Sequence, residues 1–523
     1  MAEIAIPVAT AILKALEGND EFLTRLRRGI EKESLRVNPN GELSNRPHPK
    51  SLGSPLTHPN ITTDFSEAQL ELITDVHESP EASIRQLENI HRFVYQGLDD
   101  ETLWASSMPC ILGADSEIPV GRYGSSNIAM AKTVYRLGLG NRYGRLMQTI
   151  SGIHYNFSVP ETFWPVLATA VGGRPTQDFQ TQTYFGLIRN FRRFSWLLIY
   201  LFGASPAICR SFVGNKPHKL QPLDEGTLHL PFATSLRMGR LGYQSDAQGS
   251  LHISYNSLDQ YARSMRYALT QPYPPYEKIG VKADGEYQQL NTSLIQIENE
   301  FYGTIRPKRP VKSGERPLKA LLSRGVEYVE VRCLDLNPFL HVGIDESQMR
   351  FIDTFLLYCL LADSPADSER ESQLMSENQL AVVERGREPE LLLKQAKGSV
   401  SRKQWSREIL DSCRPLAELL DGAHGGEGYI QSWEEQVRKV DDPALTPSAR
   451  ILDLITSQRI PFFRFTMNQS LAHKGYFDEH PLRDRTLAKY RAQAETSLAE
   501  QQLIENADTV GFDDFLKSYL AVD

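Results

Sequence analysis

The chain has 523 residues, of which 41% are hydrophobic and 23% charged, with a formal net charge of −8. That length supports one large core or two domains, the composition is ordinary for a soluble globular protein, and the acidic balance argues against a nucleic-acid binder. Five widely spaced cysteines (Cys110, Cys209, Cys333, Cys359, Cys413) with no CxxC pair exclude a zinc ribbon or a disulfide scaffold, and fit a reducing cytoplasm.

The N-terminus lacks a basic region and Pro7 interrupts its short apolar run, so no secretory signal is expected. Residues 9–30 read as an amphipathic helix. The next segment, Ile30-Glu31-Lys32-Glu33-Ser34-Leu35-Arg36-Val37, reads as a strand. Residues two apart in a strand share a face, so Glu31 and Glu33 point the same way as Leu35 and Val37. Two carboxylates about 4 Å apart repel by roughly 4 kcal/mol at an effective dielectric near 20. A hard cation is the simplest compensation.

Three acids follow in Asp64-Phe65-Ser66-Glu67-Ala68-Gln69-Leu70-Glu71. As a helix, Asp64 and Glu71 would share a face; as a strand from Gln69, Glu71 would face with Gln69 and Ile73, and both readings stand. Ile84, Leu87, Ile90 and Phe93 give helical spacing over 81–100. The three glycines Gly138, Gly140 and Gly144 form GxGxxxG with no preceding strand, a weak imitation of a dinucleotide fingerprint. Around residues 146–159, Ile153, Tyr155, Phe157 and Val159 alternate with Gln148, Ile150, His154, Asn156 and Ser158. This pattern fits the wall of a polar cavity and equally a half-exposed sheet edge.

The most apolar stretch, 194–209, is broken by Gly203, Ser205 and Pro206 and is short for a membrane span, so it reads as a buried helix. Strands are expected near 290–298 and 326–336. Ile305-Arg306-Pro307-Lys308-Arg309-Pro310 is a stiff basic stretch that fits a phosphate grip or a solvated loop. Glu330 and Arg332 share a strand face with Tyr328 and Leu334. They suit a cross-strand salt bridge, or a metal-ligating carboxylate beside a cation for phosphoryl transfer. From 345 on the pattern is mainly helical; Asp363–Gln373 reads as an exposed loop, and the charged run at 484–500 as a solvated appendage. No GxxxxGK[ST], HExxH or GxSxG occurs. Strands on varied connections with helices gathered late indicate an α+β fold with a largely antiparallel sheet.

In combination these segments resemble glutamate–cysteine ligases of the proteobacterial type. The resemblance is carried by 28–37 (Arg-Gly-Ile-Glu-Lys-Glu-Ser-Leu-Arg-Val), 56–65, 141–158, 200–207 (Tyr-Leu-Phe-Gly-Ala-Ser-Pro-Ala), 296–300 (Gln-Ile-Glu-Asn-Glu) and 330–332. It is dense from about Phe22 to Ile344 and looser beyond. The resemblance implies a curved, glutamine-synthetase-like half-barrel funnel with surrounding helices, with residues 1–344 as catalytic core and 345–523 as a helical part packed on it. It implies ATP-dependent joining of the L-glutamate γ-carboxylate to the L-cysteine amine through γ-glutamyl phosphate, the first step of glutathione biosynthesis, in the cytoplasm. Glutathione as feedback inhibitor is a further family expectation.

By the same resemblance, Glu31, Glu33, Asp64, Glu71, His154 and Glu330 would ligate Mg²⁺, with Mn²⁺ tolerated, and Arg332 would stabilise the transferring phosphoryl group. Phe65, Tyr135, Leu139, Gln148, Ile150, Asn156, Arg237, Tyr243 and Tyr302 would form the amine-acceptor pocket, Arg237 and the tyrosines holding the carboxylate of cysteine. A redox-controlled cysteine pair is not expected.

Overall fold

The protein is described by a computed structural model covering residues 6–109, 111–214, 217–241, 246–249, 251–312 and 314–521. Its main sheet is built from β1 (Arg27–Val37), β2 (Ile61–Thr63), β3 (Gln69–Ile73), β4 (Thr102–Leu103), β5 (Ile153–Ser158), β6 (Ile305–Lys308) and β7 (Tyr328–Leu334). The order is β6-β7-β5-β1-β3-β2, with β4 against the end of β1, and every neighbouring pair is antiparallel. The path does not close on itself, which leaves an open, one-sided trough rather than a barrel.

Eleven-residue β1 is the axis of this sheet and is almost wholly buried on both faces. One face lies over the apolar core, where Ile30 packs with Tyr155, Phe157, Val329 and Val331. Helices close the sheet from that side and line its ends: α1 (Pro80–Gly97), α2 (Asn127–Tyr143), α3 (Gln177–Phe202), α4 (Glu346–Leu361), α5 (Arg402–His424), α6 (Gly428–Asp441), α7 (Phe462–Glu479), α8 (Asp484–Ala507) and α9 (Phe512–Tyr519). Their starts are marked in the sequence. Ser79 before Pro80, Thr176 and Asp345 each accept a hydrogen bond from a first-turn amide, satisfying donors the helix leaves unpaired.

Of the apolar stretch 194–209, residues through Phe202 form the buried end of α3, but the helix stops there at Gly203 and Ala207–Cys209 is a short strand, not helix. Among the described residues no helix is long and apolar enough to cross a membrane.

Several expectations need correction. Residues 9–30 do not form one helix: Thr10–Leu16 is helical, Gly18 turns the chain at a φ of 74°, and β1 has begun by Arg27. A strand at 290–298 does not form; the pairing strand is β6, which the sequence left as grip or loop. It carries Pro307, tolerated because β6 is an edge strand and needs no further ladder donor. The stretch 363–373 is not wholly loop, since a helix runs from Glu369, and Asp367 is buried against Arg192. Nor is 484–500 an appendage. It lies within α8, where Ser497 and Gln501 bond Ser54 and Thr57, and Tyr490 stacks on Phe93 with ring centroids 5.3 Å apart.

A buried polar tie fixes the sheet to α4. Arg28 Nε lies 3.0 Å from Asp353 Oδ2, both side chains at 0% exposure, and Tyr155 donates to Asp353 Oδ1 at 2.7 Å. The pair joins the first residues of β1 and the middle of β5 to the helical half. Removing one partner strands the other charge in the core, so Asp353→Ala is expected to cost about 3–5 kcal/mol. Tyr155→Phe, which loses one hydrogen bond and keeps the packing, should cost about 1 kcal/mol. Urea unfolding of both variants checks this; a loss below that of Tyr155→Phe in Asp353→Ala would show that the tie does not hold the two parts together.

Candidate active site

Strand register assembles the polar face. Glu31 stands opposite His154, Glu33 opposite Glu71, Glu330 opposite Asn156, and Arg306 opposite Glu330. Five adjacent strands thus bring acids, an imidazole and cations side by side. A β-bulge adds to this. Val331 pairs with Tyr155 and Leu334 with Ile153, so β7 has one extra residue where β5 carries His154. The bulge leaves Arg332 beside His154 and turns Leu334 into the apolar core, which corrects the expectation that Leu334 shares the face of Glu330.

The distances describe a tight cluster. His154 Nδ1 is 3.1 Å from Glu31 Oε2, and His154 Nε2 is 3.5 Å from Glu33 Oε1. Asn156 donates to Glu31 Oε1 at 2.8 Å, and the Gly152 amide to Glu33 Oε2 at 2.7 Å. Arg332 donates to Glu330 Oε2 at 3.0 Å, and Lys308 Nζ lies 2.9 Å from Glu330 Oε1. Two sets of ligand atoms, Glu31–His154–Glu330 and Glu33–Glu71–His154, each fall within 4.8 Å of one another. They share the imidazole, whose Nε2 is buried without a hydrogen-bond partner.

Electrostatics divides these acids into two kinds. Burial, then the Asp64 carboxylate, pushes Glu33 up to about 8. Burial, with Glu31, Asp64 and Glu33 nearby, holds Glu71 well above the usual range. For Glu330, burial is outweighed by the charges of Lys308, Arg332 and Arg306, and its carboxyl sits well below the usual range. Burial also opposes ionisation of Glu31, yet the hydrogen bond with His154 and the charge of Lys308 bring it down. Burial and Arg332 lower His154, so the ring is neutral and keeps a lone pair for a cation. Carboxylates that repel, beside an unpartnered imidazole nitrogen, fit a hard divalent ion.

These residues floor a cavity of about 310 Å³. Glu31, Glu33, Asp64, Glu71, His154, Glu330 and Arg332 all line it, as do Phe65, Tyr135, Leu139, Gln148, Ile150 and Tyr302. Asp64 lies in the turn between β2 and β3 and belongs to neither of the two close sets. The helix-or-strand question at 62–74 resolves as strand–turn–strand. Gln148 lies in the helical turn Arg145–Gln148 and Ile150 in the loop after it, ahead of β5, and Gln148 donates to the Tyr302 hydroxyl at 3.2 Å.

Two pocket residues stand elsewhere. Asn156 is occupied in orienting Glu31 and is not among the lining residues. Arg237 is fully buried behind the floor, on Gly152, 3.8 Å from Asp335 and donating to the Arg332 carbonyl at 3.1 Å. Tyr243 lies outside the described residues.

Of the other lining groups, Arg306 and Lys308 lie in the stretch that the sequence offered as a phosphate grip or a loop, and the rest were not singled out by sequence. Lys132 and Arg136 stand on α2 four apart, on the same side as Tyr135 and Leu139; that helical spacing was the available signal. Arg306 and Lys308 come from the stiff basic stretch and form part of β6. Tyr519 arrives from α9, far along the chain. The glycines that imitate a nucleotide fingerprint are structural: Gly138 lies against the Gln296 side chain, and Gly144 ends α2 at a φ of 86°. A second cavity of about 350 Å³ shares Asn299, Arg306 and Lys308 with the first, and is otherwise lined by Tyr261, Val311, Leu318, Leu321 and Tyr328 among others.

The sequence model of the family described as glutamate-cysteine ligase matches residues 13–382. The glutamate–cysteine ligase of Pseudomonas entomophila is 51% identical over 510 residues, covering 97% of this chain and 96% of the relative. That of Alcanivorax borkumensis is 51% identical over 503 residues, covering 95% and 96%. Among solved structures, the Francisella tularensis glutamate–cysteine ligase in complex with AMP superposes with a TM-score of 0.89 at 37% identity, over 95% of this chain and 97% of that one. A bifunctional glutathione synthetase from Pasteurella multocida gives 0.66 at 25% identity, over 97% of this chain and 58% of that one. With the family's model matching residues 13–382 and relatives about half identical over at least 95% of both chains, the chain belongs to the glutamate–cysteine ligase family.

Proposed function

We propose that the protein joins the γ-carboxylate of L-glutamate to the amine of L-cysteine at the expense of ATP, giving γ-glutamylcysteine, ADP and phosphate. The observation that carries this reading is the pair of ligand sets sharing His154, with Arg332 at their edge, on the floor of one cavity. A carboxylate is a poor acylating agent at neutral pH, so the γ-carboxylate first attacks the γ-phosphorus of ATP. ADP leaves and γ-glutamyl phosphate remains. The amine of cysteine then attacks the acyl carbon, phosphate departs, and a proton is lost from nitrogen.

In this proposal Glu31, Glu33, Asp64, Glu71, His154 and Glu330 hold Mg²⁺, or Mn²⁺ in its stead. When bound, the metal neutralises the anions that phosphoryl transfer brings together. Arg332, Arg306 and Lys308 add cationic charge on the β6–β7 side, where Arg332 faces the transferring group. Asn156 orients Glu31, and Arg237 supports the bulge that carries Arg332. Phe65, Leu139 and Ile150 give an apolar corner suited to a small thiol side chain, flanked by Tyr135, Gln148 and Tyr302; Tyr243 belongs to the same acceptor set by family likeness. The second cavity, continuous with the cations, is the proposed seat of the adenosine, between Tyr261, Leu318, Leu321 and Tyr328.

Residues 1–344 form the catalytic core in this reading, with 345–523 a helical part packed on the same unit. A cytoplasmic location supplies ATP. Glutathione, which carries the γ-glutamylcysteine unit, fits the same cavity as a feedback inhibitor.

Purified protein with Mg²⁺, ATP and L-glutamate should release ADP in step with γ-glutamylcysteine when L-cysteine is added, followed by mass detection. Turnover with another amine and none with cysteine would overturn the substrate assignment. Arg332→Ala should lower kcat by about 10²–10³-fold, as for removal of one transition-state contact. A change confined to KM would remove Arg332 from the transferring group.

Metal binding should be proton-linked. Glu33, raised to about 8, is largely protonated at pH 7, Glu71 is raised well above its ordinary value in the same direction, and a cation must displace such protons. Mg²⁺ affinity is therefore expected to rise with pH through about 8, with proton release per ion shrinking above it. Isothermal titration in buffers of different ionisation enthalpy reads both quantities, and pH-independent affinity from 6 to 9 would count against these ligands. His154→Ala should weaken both ligand sets, whereas Glu330→Gln should weaken one, as counted by Mn²⁺ electron paramagnetic resonance.

A further inference from the structure

The C-terminal helix α9 reaches the cavity. Phe512, Phe515, Leu516 and Tyr519 recur at the spacing of one helix face and pack with Ala131, Val134 and Leu290 in an apolar cluster separate from the main core. The segment leading in is held to the start of α2: Glu505 accepts from the Ser125 amide at 2.9 Å, Asp508 from the Asn127 amide, and Val510 O from Asn127 Nδ2 at 3.0 Å. Asp513 pairs with Lys282 at 2.8 Å and accepts from the Tyr287 hydroxyl. At the far end, Arg316 donates to the Leu520 carbonyl at 3.4 Å. The result is that Tyr519, four residues from the end of the sequence, lines the same cavity as Lys132, Tyr135 and the acidic floor.

We propose that Tyr519 is a positioning residue of the active site, whose ring, held by α9, keeps water from the acyl phosphate until the amine arrives. This rests on the function proposed above. An acyl phosphate reacts with water as well as with amines. In that side reaction the water oxygen bonds to the acyl carbon, the C–O bond to phosphate breaks, phosphate leaves, a proton passes to solvent, and glutamate is regenerated with ATP spent. A wall of half-buried aromatic side chains, packed on α2 and tied down through Asp513 and the Leu520 carbonyl, is suited to excluding that water. Its apolar cluster involves few core residues, so the global fold does not depend on it.

The test measures ADP released per γ-glutamylcysteine formed in full-length protein. Tyr519→Ala should raise the cysteine-independent share of ADP release by about tenfold, as expected when a water-excluding wall is opened. Tyr519→Phe keeps the ring and should retain wild-type coupling. Asp513→Ala loosens the helix without touching the cavity and should uncouple in the same direction, with the unfolding midpoint held near that of the wild type. If Tyr519→Ala and Asp513→Ala both keep the wild-type ratio of ADP to product, or lose rate with that ratio unchanged, the proposal is wrong while the ligase reading stands. If the wild type forms no γ-glutamylcysteine, the failure lies in the proposed function.

Discussion

Like-charge crowding on the concave face of the sheet is the constraint on which the rest of the structure depends. Glu31, Glu33, Glu71 and Glu330 are gathered around one neutral imidazole, away from bulk water, where repulsion between carboxylates is several-fold stronger than at a surface. The protein offsets one side of this crowd fully, with Arg306, Lys308 and Arg332 around Glu330, whereas Arg237, Arg332 and Arg136 counter the burial of Glu33 and Glu71 only in part. On the other side Glu33 and Glu71 are left as weak acids. That asymmetry suits a site in which one region stays anionic beside fixed cations and the other changes its charge when a divalent ion enters.

Holding such a floor in place requires a stiff support. β1 supplies it by having no free face. Its odd-numbered acids point into the cavity, while Lys32 on the other side meets His91 at 2.7 Å and is pushed down to about 7 by burial. Arg36 is paired with Glu101 and bonded to the carbonyls of Arg46, Pro47 and Glu67. Arg28 at the start of the strand reaches α4 through Asp353. Arg28, Lys32 and Arg36 are thereby each tied to a different neighbouring segment, and a shift in register would break all of these pairings together.

Much of the floor was legible in the sequence because strand geometry is local. Two acids two apart on the face of a strand that also carries Leu35 and Val37, and a Glu and an Arg two apart in another, identify a shared face from spacing alone. The partner of each strand, and hence the cluster itself, came from family likeness rather than from periodicity. What spacing did not reveal depends on long-range packing. The bulge that moves Leu334 inward arises from the mismatch of β7 with β5 and leaves no mark on the alternation of β7 itself. β6 looked like a loop because Pro307 is compatible with an edge strand only once the neighbour is known. Tyr519 sits some four hundred residues after the helix it packs on, and no local pattern links them.

The cavity walls and floor are made from different kinds of structure. The floor is hydrogen-bonded strand, whereas the walls come from α2, the turn at 145–150, Tyr302 and α9, which share no ladder with one another. Sequence change is therefore unequally tolerated around one pocket. Apart from Tyr519, wall positions share no strand register, so in the proposed reading they can change with fewer consequences and reshape which amine is admitted, while the strand positions beneath are locked together. A lineage of this architecture can explore new acceptors without rebuilding the part that activates the acid, and laboratory evolution of amine preference would find its variation in those four wall segments.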